Sequence, residues 1–336
     1  MLTNIAHWLA VEGVQPSIPQ NPTTAEARAS ELVPKGPGAN PNLAALAGND
    51  NVSHKPLVKH VISKELMLFF DKIRGAILDE DLDPEVVILR ESAFESVRGD
   101  PGLHQLVPYF VQFVAEKVTH NLTNIFVLRQ MMELTAAMMA NKSFFIDPYV
   151  ASLVPPVLTC LIARFQVPDG GENLKDQYDL RDLASSLLGM MTTRYRDSTQ
   201  SLQARLVRTC LKKFLDPDAS PGEHYGAING LSSIGGPNGI SVLVLPNIKP
   251  FEILLRKHQS QRGPNDEEVI MVIATIIKVI QTITKGSTVL VNGVNGNADD
   301  SAALEEFLGE MIGSRIARLG NRELNAAILR PREKTL

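Results

Sequence analysis

The sequence predicts an all-α protein: an α-solenoid of about five helical pairs, preceded by a proline-rich segment. The first observation is the spacing of apolar residues in Leu103–Val118, which recur every three or four positions and form one face of a helix. The second is that Leu122–Met139 is apolar around most of its circumference, as in a helix between neighbours. The third is repetition of such pairs along the chain, which allows each pair to bury its apolar face against the next.

Five pairs are predicted in chain order, and each break carries a turn signal such as Asn121 and Asn124, Gly99–Gly102 or Asp216–Asp218. The predicted pairs are Leu57–Leu78 with Pro84–Arg98, Leu103–Val118 with Leu122–Met139, Phe144–Phe165 with Leu180–Arg196, Ser201–Leu215 with Pro221–Ile234, and Ile240–Leu255 with Glu267–Ile283. Val167–Gln177 and Gly235–Gly239 are interpreted as loops or turns between helices. A final helix over Ala302–Leu319 is expected to close the array.

Two details refine this prediction. Pro155 and Pro156 fall inside Phe144–Phe165, the first helix of the third pair. A proline inside a helix removes a backbone hydrogen bond and kinks the helix. Kinked first helices are typical of HEAT repeats, so the pairs are predicted to be HEAT-type. The Glu267–Ile283 segment is rich in valine and isoleucine and would suit a strand, but its length favours a helix.

The first 56 residues are predicted to be a disordered tether. Seven of the chain's 21 prolines lie between Gln15 and Pro56, among alanine, asparagine and glycine. Within this segment Trp8, Pro16 and Pro19 have two interpretations: a plain linker, or a short motif that docks on a partner or back on the solenoid. Residues 57–336 form the predicted repeat domain, with a loop-rich insertion over 285–300.

Composition excludes several classes of protein. The net charge of −4 and pI of about 6.0 imply no global attraction to nucleic acid or acidic membranes. The longest apolar run, Val269–Ile283, is too short to cross a bilayer and contains Lys278 and Gln281, so no membrane association is expected. Cys160 and Cys210 lack metal-type spacing and are predicted to be reduced thiols in the core.

No catalytic or cofactor motif is apparent, so the chain is predicted not to be an enzyme and to need no cofactor. The histidines His104, His120 and His224 lie beside predicted helix ends and are expected to have hydrogen-bonded structural roles. An alternative is a hydrolase whose metal binds the carboxylates of Asp79–Asp83. The segment lacks the hinge glycine of a calcium loop, which favours a solvated turn over a metal site.

One local charge pattern is basic. Arg205, Arg208 and Lys212 recur at spacings of three and four on one predicted helix, flanked by Arg194, Arg196 and Lys213. Such a face is either solvated surface or a contact for an acidic partner or DNA phosphates. The second interpretation predicts salt-sensitive binding.

Several long runs of residues carry a family resemblance. The sequence from Gly102 to Leu122, GLHQLVPYFVQFVAEKVTHNL, resembles the signature of the TFIID subunit six family of TBP-associated factors. Further matches lie at Trp8–Pro19, Val154–Leu161, Leu180–Ala184, Tyr225–Leu231 and Leu245–Lys249. The resemblance spans roughly Ile5 to Leu255.

The resemblance implies a nuclear scaffold subunit of the general transcription factor TFIID, and of the SAGA coactivator where one gene serves both. The family's histone fold, which pairs with TBP-associated factor nine, would precede Trp8, so we expect the chain to be part of a longer protein. The implied partners are other TFIID and SAGA subunits, with self-association of the repeats and weak DNA backbone contact left open. The alternative is a HEAT-type carrier or scaffold unrelated to transcription, although carriers use rows of tryptophans and this chain has one.

Overall fold

The fold is built from paired antiparallel helices that stack side by side. A computed structural model describes residues 62–165, 171–195, 202–263, 266–285 and 298–329. The first ten α-helices are α1 Lys64–Leu78, α2 Pro84–Gly99, α3 Val107–His120, α4 Ile125–Ala140, α5 Val150–Ile162, α6 Gly171–Arg194, α7 Leu202–Phe214, α8 Pro221–Gly239, α9 Leu245–Arg262 and α10 Glu267–Lys285. Short 3-10 turns, Pro101–Leu106 and Asp147–Tyr149, precede α3 and α5, and a π-helical turn, Ile240–Val244, precedes α9.

The ten helices form two layers. The odd-numbered helices make the first layer and the even-numbered helices the second, and each odd helix packs against the even helix that follows it. Along the second layer α2, α4, α6, α8 and α10 pack in sequence, while the first layer is joined by contacts such as the Phe214 ring on Phe251, whose centroids lie 4.6 Å apart. The predicted α-solenoid of five HEAT-type pairs is confirmed.

The array ends in three shorter helices, α11 Ala298–Leu308, α12 Glu310–Arg318 and α13 Arg322–Leu329. The predicted single closing helix is therefore wrong. The chain breaks at Gly309, whose φ of 89° suits glycine, and a Cβ there would lie against the carboxylate of Glu252 on α9. That carboxylate accepts a hydrogen bond from the backbone nitrogen of Met311, so α9 itself fixes the start of α12.

The predicted helix boundaries follow local capping chemistry. Ser63, Asp83 and Asn124 each accept a hydrogen bond from a backbone nitrogen in the first turn of the helix that follows, and Ser220 with Glu223 forms a full capping box on α8. The turn predicted at Gly235–Gly239 is reduced to one residue, Gly236, with φ 57°.

Two other predicted boundaries are wrong. The loop predicted over Val167–Gln177 is too long, because α6 already begins at Gly171. Most of the residues that follow, Glu172, Leu174, Lys175 and Gln177, are good helix formers. The predicted helix from Phe144 does not start until Val150, after a turn that contains Pro148. Phe144 and Ile146 are nevertheless buried in the core.

A single apolar core runs through the described solenoid, from Phe70 on α1 to Ile328 on α13. Asn141, 3% exposed, links the first two pairs, because its side-chain amide at the end of α4 donates to the carbonyls of Val97 and Asp100 at the end of α2. Among the described residues no helix is long and apolar enough to span a membrane. The proline-rich tether, including Trp8, Pro16 and Pro19, lies outside the described residues, as do residues 286–297 of the predicted insertion.

Candidate interaction surface and the buried junction

The predicted basic face lies on α7, a helix that contains four basic residues and no acidic one. Arg208 and Lys212 are exposed, whereas Arg205 is half-buried and takes part in an interaction within the protein. The structure therefore places all three predicted residues on one helix, but only Arg208 and Lys212 project into solvent. These two residues define the α7 basic surface.

Two of the predicted flanking cations, Lys213 and Arg194, contact neighbouring helices, and the third, Arg196, lies outside the described residues. Lys213 donates to the carboxylates of Asp216 at 3.2 Å and Glu223 at 2.8 Å, which ties α7 to α8. Arg194, on α6, donates to the carbonyl oxygen of Met139 at the end of α4. Burial would raise the pKa of Glu223, but the hydrogen bonds from Lys213 and from the Ser220 backbone outweigh it and hold that pKa below its ordinary value. Lys213 is therefore held by α8 and does not extend the basic face, whereas Arg194 remains exposed beside its carbonyl contact.

The acidic turn Asp79–Asp83 is organised by its own backbone. The carboxylates of Asp79, Asp81 and Asp83 each accept a hydrogen bond from the backbone nitrogen two residues later. This is the pattern of successive Asx turns leading into α2. Glu80 accepts from the amide of Asn124, which joins the turn to the second pair. Among the described residues no group of histidine, cysteine and carboxylate side chains is arranged to hold a metal.

A buried junction that the sequence reasoning missed joins α5, α6 and α8. The guanidinium of Arg181, 2% exposed, donates from its two terminal nitrogens to the carbonyl oxygens of Leu161 at 2.5 Å and Ala163 at 2.8 Å. These carbonyls end α5 and have no partner within that helix. The guanidinium also lies 4.6 Å from the ring centroid of Phe165. Burial lowers the pKa of Arg181 to about 10, so it stays charged at neutral pH.

Three glycines of α8 allow this junction to close. Gly222, Gly226 and Gly230 recur every four residues and so lie on one face of the helix. A Cβ at Gly226 would lie 1.9 Å from the Leu161 carbonyl oxygen, and one at Gly230 would meet side-chain atoms of Leu161 and Cys210 at 2.8 and 2.9 Å. The backbones of α5 and α8 therefore approach more closely than any residue with a side chain permits.

The same junction has a polar outer edge. The carboxylate of Asp182 accepts hydrogen bonds from the Tyr225 hydroxyl at 2.7 Å and the Asn229 amide at 3.0 Å. The sequence did contain signals for this site, because Arg181 lies seven residues before Leu188 and thus on the apolar side of α6. A charged residue in that position indicates a buried partner.

Neither cysteine is suited to nucleophilic chemistry. Cys160 and Cys210 are free and buried, as predicted, and burial raises the pKa of each thiol to about 12. Reactive thiols have a lowered pKa, so both cysteines act as small apolar side chains.

The histidines behave in two ways. The Nδ1 atoms of His104 and His120 lie within hydrogen-bond distance of the carbonyls of Pro101 and Glu116, as predicted. His224 is fully buried beside Phe251 and His258, and neither of its ring nitrogens has a hydrogen-bond partner among the described residues. The expectation of a hydrogen-bonded role is therefore wrong for His224, which packs as an aromatic core residue.

This burial predicts acid sensitivity. Burial, with a smaller contribution from His258, lowers the pKa of His224 from 6.5 to about 4, despite the nearby carboxylates of Glu223 and Asp216. The folded protein keeps His224 neutral while the unfolded chain protonates it. The free energy of unfolding should therefore fall as the pH decreases from 6.5 to 4, by roughly 3 kcal/mol at about 1.4 kcal/mol per unit. In His224→Leu, the free energy of unfolding measured with urea should depend less on pH across this range than it does in the unmodified protein. The same dependence on pH in both proteins would contradict a lowered His224 pKa.

A groove with an apolar lining lies on the second layer. It has a volume of about 780 Å³ and lies between α4, α6 and α8. Small side chains at Ala136, Ala140 and Gly189 form part of its lining, together with Met139 and Met190. Met190 is 47% exposed, so the groove presents apolar surface to solvent.

Comparisons with known proteins agree with this architecture. Residues 58–249 match the model of the TAF6 C-terminal HEAT repeat domain. The chain is 47% identical over 274 residues to the SAGA complex/transcription factor TFIID complex subunit Taf6 of Schizosaccharomyces pombe, covering 79% of this chain and 58% of that protein. It is 35% identical over 251 residues to transcription initiation factor TFIID subunit 6 of Arabidopsis thaliana, covering 75% of this chain and 43% of that protein.

A solved structure gives a similar result. The TAF6 C-terminal domain from Antonospora locustae matches with a TM-score of 0.50 and 25% identity, over 65% of this chain and 99% of that domain. The chain thus spans about half the length of the relatives named above. Because the family model covers more than half of its residues, the chain belongs to the TAF6 family and contains the family's C-terminal HEAT-repeat domain.

Proposed function

We propose that this chain is the solenoid part of a nuclear scaffold subunit of the general transcription factor TFIID, and that the same subunit serves the SAGA coactivator. Its role is architectural: it holds other subunits in position while the RNA polymerase II preinitiation complex assembles. The observation that carries this proposal is the continuous two-layer solenoid, whose described residues offer long, open helix faces. Extended surfaces of this kind suit the binding of several partners along one array.

A non-catalytic role fits the chemistry of the described residues. The titratable groups with the strongest pKa shifts, including Arg181, Cys160 and His224, are buried in the helix packing rather than gathered in a cleft. Perturbed groups indicate an active site when they line a pocket together. The TAF6-family relatives are named as transcription factor subunits, which supports the same assignment.

The partners we propose are the other TBP-associated factors and SAGA subunits. TBP-associated factor nine would bind through the histone fold of the full-length protein. The repeats would carry any self-association and any weak contact with the DNA backbone. The α7 basic surface, Arg208 and Lys212, is the proposed contact for an acidic segment or for phosphates. Trp8, Pro16 and Pro19 are the proposed short docking motif.

The test is affinity purification of the full-length tagged protein from its own nuclei at moderate salt, followed by mass spectrometry. We expect TBP with its associated factors, together with acetyltransferase and deubiquitinase subunits if SAGA is also served. Recovery of only import factors or metabolic enzymes would favour the carrier alternative.

A charge-reversal pair tests the α7 basic surface in the same purification. Arg208→Glu with Lys212→Glu should lose a subset of subunits and make the remaining recovery less dependent on salt, because the favourable charges are removed. The matched control is Lys64→Glu with Lys72→Glu on α1, where both side chains are also exposed. Equal losses from both pairs would point to net charge rather than to a specific surface.

A further inference from the structure

The groove between α4, α6 and α8 presents an apolar surface on the second layer. Its lining residues Ala136 and Ala140 are small, so a docked segment can approach α4 closely. The exposed methionine Met190 offers a polarizable, adaptable contact for an aromatic ring. Its volume of about 780 Å³ falls in the range of small-molecule pockets, which is enough room for one large side chain.

The charge of the groove is also defined. Among the described residues that line the groove, Arg194 is positively charged. The other lining residues are apolar or uncharged, and Ser186 and Ser233 are among the uncharged polar ones. Arg194 is exposed and is anchored by donating to the Met139 carbonyl at the groove's own wall. A ligand for this groove should therefore combine an apolar face with a carboxylate.

One segment of the chain has this composition. Ile5, Trp8, Leu9 and Glu12 occur at i, i+3, i+4 and i+7, which places three apolar side chains and one carboxylate on a single face when the segment is helical. Trp8 is the chain's one tryptophan, and its large ring gains strongly from burial. Glu12 is the acidic residue of this segment, so its charge complements Arg194.

The segment can reach the groove from the start of the solenoid. About 50 residues separate Trp8 from Ile62, where the described chain begins, and these span at most about 165–180 Å at roughly 3.3–3.6 Å per residue. A segment held on the same chain meets its site at an effective concentration on the order of millimolar. Even a short apolar contact would then be well occupied.

We propose that the N-terminal segment Ile5–Glu12 docks in cis in the groove between α4, α6 and α8, with Trp8 against Met190 and Glu12 facing Arg194. The segment then covers the exposed side chain of Met190.

The single tryptophan supplies the test. In the 336-residue chain, Trp8 fluorescence should be shifted to shorter wavelengths and protected from acrylamide quenching. Met190→Lys should shift the emission to longer wavelengths and raise the quenching constant towards that of the urea-unfolded chain. The matched control is Met271→Lys on α10, a methionine that is 38% exposed and does not line the groove, and it should change neither quantity. Circular dichroism checks that each variant stays folded.

Other outcomes separate the alternatives. Full exposure of Trp8 in the unmodified chain would overturn the proposal, and so would protection that Met190→Lys leaves intact. Protection that Met67→Lys on α1 removes instead would place the segment on the first helical pair. Protection that disappears on dilution, together with a doubled mass in light scattering, would show docking on a second copy rather than in cis. The proposal is supported if Trp8 stays protected from quenching in a monomer at low protein concentration, and if Met190→Lys is the one variant that removes this protection.

Discussion

Phe110→Asp should unfold the N-terminal pairs of the solenoid. Phe110 is fully buried on α3, and its ring lies 5.2 Å from that of Phe70 on α1 and among the apolar residues of the central core. A carboxylate there loses the ring contacts and enters an apolar site without a partner, which costs several kcal/mol. We expect the thermal unfolding midpoint to fall by many degrees, with loss of helical circular dichroism at physiological temperature.

The control is the same substitution at Phe145, which is 71% exposed in the turn before α5. Phe145→Asp places the charge in water and should change the free energy of unfolding by no more than about 0.5 kcal/mol. If Phe110→Asp unfolded at the same temperature as Phe145→Asp, the buried face assigned to α3 would be wrong. If both variants collapsed, the turn itself would have to be packed against another part of the protein.

The periodicity of the sequence was sufficient to predict the solenoid and the partners of each helix. Apolar residues three and four positions apart lie on one face of a helix, and this face is buried in the fold. The prediction works because each pair packs mainly against the pairs next to it in the chain. The Val/Ile-rich α10 shows the limit of local propensity, since packing and length make it a helix.

The terminal helices and the buried junction could not be predicted this way. Gly309 breaks the last predicted helix because Glu252, 57 residues earlier, occupies the space beside it and caps α12. Arg181 is similar, because its guanidinium donates hydrogen bonds to the carbonyls of Leu161 and Ala163 at the end of α5, some 20 residues away. Both features depend on contacts between different helices, and the spacing of residues within one helix does not identify the atoms that the neighbouring helix supplies.

The predicted interaction residues illustrate a different limit. Arg208 and Lys212 are exposed as the helical spacing indicates, whereas Lys213, one residue further on, forms a partly buried ion pair with Glu223. Spacing alone identifies the face of a helix but not which cations are used by the neighbouring helix. Assigning a basic surface therefore requires the acidic residues of the next helix as well.

Gly226→Ala should strongly destabilise the protein, although the substitution adds a single methyl group. The added Cβ would lie 1.9 Å from the Leu161 carbonyl oxygen, a backbone atom that cannot move aside without shifting the end of α5. That carbonyl is also the acceptor for Arg181, so the shift disturbs the buried guanidinium. Overpacking of this kind costs about 1–3 kcal/mol or more, against a gain of roughly 1 kcal/mol in helix propensity. We expect a clear net loss of stability in urea unfolding.

The matched control is Gly75→Ala on α1, where a Cβ would meet nothing within 4 Å. The same substitution there should stabilise the protein by about 0.5–1 kcal/mol, because alanine favours the helix and restricts the unfolded chain. A gain in the free energy of unfolding at Gly75 with a loss at Gly226 would show that the loss comes from the close approach of α5 and α8 and not from helix propensity. Stabilisation at both positions would mean that these helices can move apart freely, and the junction around Arg181 would then not fix the spacing of the central repeats.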